Sequence, residues 1–159
     1  MNTEKIGEMW GVYESKRVTN AIRPVVNYGF WFMKPDHEGD YLVGSSVTDF
    51  GEIGSEFTTY TIPAGRYIKA SFNAKDFSSL VTEGGIQNSF ERAKKYADDH
   101  QLKMKEMPKF PVGWIEVYPH ELMCVGTENG PEWGLKLDSA FVTAPITQYP
   151  EMYTLIPIE

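Results

Sequence analysis

The sequence predicts an α+β domain in which an antiparallel sheet carries two helices on one face. Three observations predict it. Two segments carry helical periodicity, one near the start and one past the midpoint. Short aromatic and β-branched runs lie between and after them, punctuated by Gly, Pro and Asp. Finally, 42% of the 159 residues are apolar, enough to build one core, so residues 1–159 read as a single domain.

Residues 3–20 read as an amphipathic helix, because Ile6, Met9, Trp10 and Tyr13 fall at i, i+3, i+4 and i+7. Asn2 or Thr3 caps its start, and Pro24 lies just past its end. NYGFWFM, residues 27–33, is an aromatic strand in which Trp31 faces away from Phe30 and Phe32. KPDHEGD is turn chemistry, and residues 40–48 form the next strand. After a loop containing Gly51 and Gly54, EFTTYTI at 56–62 is a β-rich run. Pro63-Ala64-Gly65 turns the chain into a strand over 66–72. The second helix covers about 85–100, with Ile86, Phe90, Ala93 and Ala97 as its inner stripe. PVGWIEVYP supplies a strand over 112–118, residues 126–151 are loop-rich, and MYTLIPI closes the chain as a final strand. Two helix-then-strand units follow one another, which hints at a pseudo-repeat.

Charge and cysteine usage narrow the function classes. The formal net charge is -7. Duplex binding needs a cationic face, and the densest basic cluster (Arg92, Lys94, Lys95) runs straight into Asp98 and Asp99. That reads as a solvated helix face, so no direct nucleic-acid partner is expected. Cys124 is the single cysteine, which excludes an intramolecular disulfide and suits a reducing, cytoplasmic setting. No signal-peptide run and no membrane span are expected. His37, His100 and His120 lack enough neighbouring ligands for a metal site, and no glycine-rich phosphate cradle occurs, so neither metal nor other cofactor is expected. Cys124 has no nucleophile signature around it.

GWIEVYPHE, residues 113–121, is the most informative segment. On a strand, Ile115 and Val117 point to one side while Trp114, Glu116 and Tyr118 point to the other. If that second side is buried, a bare Glu116 costs several kcal/mol or takes up a proton. A concave site can use this, with the carboxylate attracting a cation and the rings stacking on its apolar body. If the side is open, Glu116 is simply hydrated. Aromatic residues on both strand faces also call for a second cover, whether a ligand, a loop or another subunit.

Three motifs occur in order: Tyr41-Leu42-Val43-Gly44-Ser45-Ser46-Val47, then Ile62-Pro63-Ala64-Gly65-Arg66-Tyr67, then Trp114-Ile115-Glu116-Val117-Tyr118 with a terminal Leu155-Ile156-Pro157-Ile158. Over residues 5–118 and the last strand, the chain resembles the gyrase-inhibitor-like superfamily of effector-binding domains. Those domains occur alone or fused to AraC- and MerR-type regulators. The resemblance implies two α+β units related by a pseudo-two-fold axis, with a ligand groove between them. It implies a bulky, amphipathic or cationic aromatic ligand, with Glu116 as the pocket carboxylate and Tyr118 in the Glu-x-Tyr spacing.

On that basis Glu116, Tyr118, Trp114, Phe30 and Tyr67 are the candidate ligand-binding residues. The implied function is stand-alone small-molecule binding, accessory to transcriptional regulation or to drug or toxin sequestration. A homodimer or a regulator is the implied protein partner. The alternative is a small-molecule hydrolase, with Glu116 as general base and a tyrosine such as Tyr118 assisting. A third reading is a groove that takes a partner chain. Two departures stand out. The chain opens with a helix where the superfamily opens with a strand, and residues 119–150 form a longer, Gly/Pro-rich link.

Overall fold

The computed structural model describes residues 3–16, 18, 20–23, 25–32, 40–51, 53–73, 85–105, 112–119, 122, 124–127, 130–133 and 151–159. The elements are α1 (Thr3–Ser15), β1 (Val26–Phe32), β2 (Asp40–Ser45), β3 (Arg66–Asn73), α2 (Gly85–Asp99), β4 (Val112–Pro119), β5 (Cys124–Thr127), β6 (Gly130–Trp133) and β7 (Glu151–Ile158). Five strands form one sheet in the order β2-β1-β4-β7-β3, and β5 pairs with β6 as a separate hairpin. Every pairing is antiparallel. The expected α+β class is therefore the observed one.

Both helices cover the same sheet face. α1 sits at the β2 side, where the Tyr13 hydroxyl meets Ser45 Oγ at 2.5 Å and the Trp10 ring packs edge-on to Tyr118. α2 sits over β3 and β7. Its Ala93 and Ala97 pack with Ile68, Ala70, Ile156 and Ile158, flanked by Phe90 and Trp114. The short alanine side chains let the helix approach the strands closely. The opposite sheet face holds Phe30, Ile115 and Val117, ringed by Tyr28, Tyr67, Tyr153 and Leu155. Tyr60 and Ile62 lie on that cluster too, so a loop supplies the second cover that the aromatic strands required.

The differences from expectation have local causes. EFTTYTI is not a strand. Its Tyr60 caps the apolar face, with ring centres 5.1 Å from Phe30 and 5.2 Å from Phe32. Its β-rich composition thus reflects fit to a half-buried surface rather than backbone pairing. The first helix stops at Ser15 rather than near residue 20, because the chain is extended by Ala21, which bridges Val47 while Ile22 N–H bonds the Ser46 carbonyl. The loop-rich stretch after β4 contains the β5–β6 hairpin. Residues 34–39 of the KPDHEGD turn, His37 among them, His120 and residues 134–150 lie outside the described residues. Among those described, no helix is long and apolar enough to cross a membrane.

α2 ends in a complete Schellman closure. Leu102 N–H reaches the Ala97 carbonyl at 2.8 Å, Gln101 N–H reaches Asp98 at 3.2 Å, and Gln101 takes the left-handed conformation at φ 54°. Glycine adopts that conformation without the Cβ clash. Gln101→Gly should therefore stabilise the fold by about 1 kcal/mol, read as a higher denaturation midpoint. A lower midpoint would show that the Gln101 side chain contributes more than its backbone costs.

Candidate functional site

On the helix-covered face, Glu116 stands at the middle of the sheet, opposite Gly29 of β1 and Thr154 of β7. It is 1% exposed. Strand alternation places Trp114 and Tyr118 beside it on β4, and Trp31 lies directly across from Trp114. From the next strand outward, Tyr41 pairs with Trp31.

These side chains close around the carboxylate. Oε1 accepts hydrogen bonds from the Trp31 Nε1–H and, at 3.4 Å, from the Trp114 Nε1–H. Oε2 accepts from the Tyr41 hydroxyl at 2.5 Å and from the Tyr118 hydroxyl at 2.9 Å. The rings also pack on one another. Centres lie 4.8 Å apart for Trp31 and Tyr41, 5.2 Å for Trp31 and Trp114, and 5.4 Å for Trp10 and Tyr118. Phe90 of α2 reaches Trp114 at 5.1 Å. Both helices thus contribute a ring to an aromatic cage built on the sheet.

Gly29 makes the cage possible. A β-carbon at that position would collide with the Tyr41 hydroxyl and sit 2.6 Å from Glu116 Oε2. Beneath α1, a second polar chain runs from Tyr13 to Ser45, whose hydroxyl donates to Asn27 Oδ1 at 2.6 Å. On the other flank, the buried Thr154 hydroxyl has no hydrogen-bond partner among the described residues.

Burial pushes the Glu116 carboxyl above its ordinary value of 4.5, opposed by the hydrogen bonds from Tyr41, Trp31, Tyr118 and Trp114. Burial, followed by the nearby Glu116 charge, drives the Tyr41 and Tyr118 hydroxyls up. Both therefore act as donors rather than phenolates at neutral pH. Burial raises Tyr13 as well, partly offset by its bond to Ser45.

Of the five residues singled out from sequence, the structure brings three together: Glu116, Tyr118 and Trp114. Phe30 and Tyr67 lie across the sheet. Phe30 pairs opposite Ile115 and shares its face, and Tyr67 belongs to the same cluster, its hydroxyl donating to the Pro63 carbonyl at 2.6 Å. Trp10, Gly29, Trp31 and Tyr41 were missed. Alternation already set Trp31 apart from Phe30, and Tyr41 opens the first motif, but only strand register joins them to Glu116. His100 stacks on Tyr96 with ring centres 3.9 Å apart, far in role from this cage. Among the described residues, no three His, Cys, Asp or Glu side chains converge as metal ligands would.

Gly29→Ala should destabilise the fold by about 1–3 kcal/mol through overpacking, measured by denaturant unfolding. An unchanged midpoint would mean that Tyr41 and Glu116 can shift at little cost.

None of the curated proteins matches the chain. A family model does: it is described as Cass2, integron-associated effector binding protein, and it matches residues 1–137. The match spans α1 through β6 and so takes in every ring and the carboxylate of the cage. An effector-binding family of this kind implies a small molecule as ligand. The chain belongs to this family of integron-associated effector-binding proteins, a gyrase-inhibitor-like group.

Proposed function

We propose that the chain binds a small organic cation with an aromatic body in the cage around Glu116. Glu116 supplies the counter-charge. Trp31, Trp114, Tyr41, Tyr118 and Trp10 supply the walls. The observation that carries this reading is a carboxylate 1% exposed and enclosed by aromatic rings on the face where both helices pack. Indole and phenol rings attract cations through their faces, most strongly when water is excluded. The buried carboxylate adds a full negative charge in the same place. A cation seated against the rings gives Glu116 the counter-charge that replaces the hydration lost on burial.

The same geometry disfavours the hydrolase alternative. A carboxylate offers about four lone-pair positions, and Glu116 already receives two donors on each oxygen. A general base needs a lone pair directed at water. Counter-charge needs none.

Glu116→Gln isolates the charge, because a glutamine oxygen can face the two indoles while its amide hydrogens face the tyrosine oxygens. The first experiment is a thermal-shift screen of aromatic quaternary ammonium compounds. A ligand present at 100 times its dissociation constant stabilises the fold by about 2.7 kcal/mol. Glu116→Gln should weaken such ligands by about tenfold or more, which is ~1.4 kcal/mol. If the variant binds as tightly as the wild type, the counter-charge role is lost. If it binds normally but stops converting the ligand, the hydrolase reading replaces this one.

The direction of the Glu116 shift also sets a pH dependence. In the window from 4.5 up through its raised folded value, the folded chain holds a proton that the unfolded chain has released. Ligand-free stability is therefore highest below that window and falls as pH rises through it. Affinity for a permanently charged cation should move the other way, rising as Glu116 ionises. Both slopes should vanish in Glu116→Gln. Parallel slopes in wild type and variant would assign the pH effect to other groups.

A further inference from the structure

A groove of about 950 Å³ opens between α2 and β3, away from the Glu116 cage. Arg66 and Lys69 of β3 and Arg92 and Lys95 of α2 line it, with Asp99 as the acid on its wall. The chain as a whole shows the opposite balance, with 15 Lys and Arg against 22 Asp and Glu. Asp99 is engaged by Lys95 at 2.7 Å on the helix surface. Arg92 Nη1 donates to the Ser71 carbonyl at 3.1 Å, Arg66 Nη1 donates to the main-chain oxygen of Glu159 at 3.3 Å, and the Lys69 ammonium sits 4.1 Å from the Tyr153 ring centre. Each guanidinium carries five donors, so both retain capacity for a carboxylate.

The strand beside these cations is the outer one of the five-stranded sheet. Its outward backbone groups follow from the ladder. Tyr67 lies opposite Pro157, which has no N–H and whose carbonyl is bonded by Lys105 N–H at 3.0 Å. That pair exchanges no ladder bonds. Alternation then turns Ile68 and Ala70 toward β7, and Lys69 and Ser71 outward. The Arg92 bond to the Ser71 carbonyl agrees with this assignment.

We propose that this edge docks an acidic, extended segment of a partner protein, which adds as a strand beside β3. Backbone bonds at Lys69 and Ser71 supply affinity. Every second side chain of the incoming strand points toward α2, where Arg66, Arg92 and Lys95 receive its carboxylates. Arg92 yields the Ser71 carbonyl to the incoming N–H and turns its guanidinium to an acid, a stronger charge-assisted bond. The same positive edge repels a second copy of itself, so self-pairing is not the occupant.

The test uses the full chain and synthetic peptides of β3's length, 8 residues. One peptide alternates Glu with Thr and Val. A second has the same composition with its glutamates in one block. A third is the alternating peptide N-methylated at every second amide. Anisotropy titrations should rank the alternating peptide ahead of the other two by about tenfold or more, with affinity falling as salt rises. Arg92→Glu and Arg66→Glu, both at exposed positions, should each weaken it about tenfold while leaving the circular dichroism and denaturation midpoint of wild type. Glu116→Gln should bind the peptide as wild type does, which separates this surface from the cage. Equal binding of the three peptides, or tighter binding of an oligothymidylate, overturns the proposal in favour of a plain polyanion patch. No binding by any peptide overturns it outright.

Discussion

Moving the Glu116 carboxylate out of water costs several kcal/mol even after relaxation, and the chain offsets that cost with donors drawn from three strands. Trp31 comes from β1, Tyr41 from β2, and Trp114 and Tyr118 from β4 itself. Hydrogen bonds to an ionised acceptor are roughly twice as strong as neutral ones. Losing any one leaves the charge less compensated, so the strands are coupled through the acid as well as through their ladder. α1 joins the same network when Trp10 packs on Tyr118. The site is therefore not decoration on a finished scaffold. Assembling the sheet and assembling the cage are one event.

The two faces of the sheet divide the labour. The face under Tyr60 and Ile62 is aliphatic and aromatic, with Ile115 and Val117 at 0% exposure. It anchors β4 by area alone, about 25 cal/mol for each Å² of apolar surface withdrawn from water. The helix-covered face carries the polar load: Glu116, Asn27 and Thr154 are all buried there. α1 is the light partner on that side. Gly7 and Gly11 sit inside it with nothing near where a β-carbon would be, and each weakens a helix by up to about 1 kcal/mol relative to alanine. Its position depends on Trp10 and Tyr13 rather than on its own propensity.

Much of this was legible in the residues. The stripes of Met9, Trp10 and Tyr13 and of Phe90, Ala93 and Ala97 located both helices, and alternation in Trp114-Ile115-Glu116-Val117-Tyr118 placed the carboxylate among rings. What stayed hidden depends on pairing. Nothing in β1 alone says that Gly29 faces Glu116, or that Trp31 meets Trp114, because register is a property of two strands. For the same reason Phe30 and Tyr67 read as walls, although their partners Ile115 and Pro157 set them on the other face. EFTTYTI shows the complementary limit. Its composition suits a strand, yet its role is to cover one, and propensity cannot tell a pairing edge from a packing surface.

β4 has a packed layer on each side, which bears on how the chain finds its pairing. A slip of one residue between β1 and β4 would turn Glu116 into the cluster of Phe30, Tyr60 and Tyr153, where it would meet aromatic and aliphatic carbon, and would drive Ile115 and Val117 into a ring of indole and phenol hydrogens. Each half of that error is costly: a charge without donors, and donors without an acceptor. The native alignment is thus separated from its nearest competitor by chemistry on both faces at once. The residue we propose as a ligand's counter-charge thus also works, with no ligand present, as a proofreader of strand alignment.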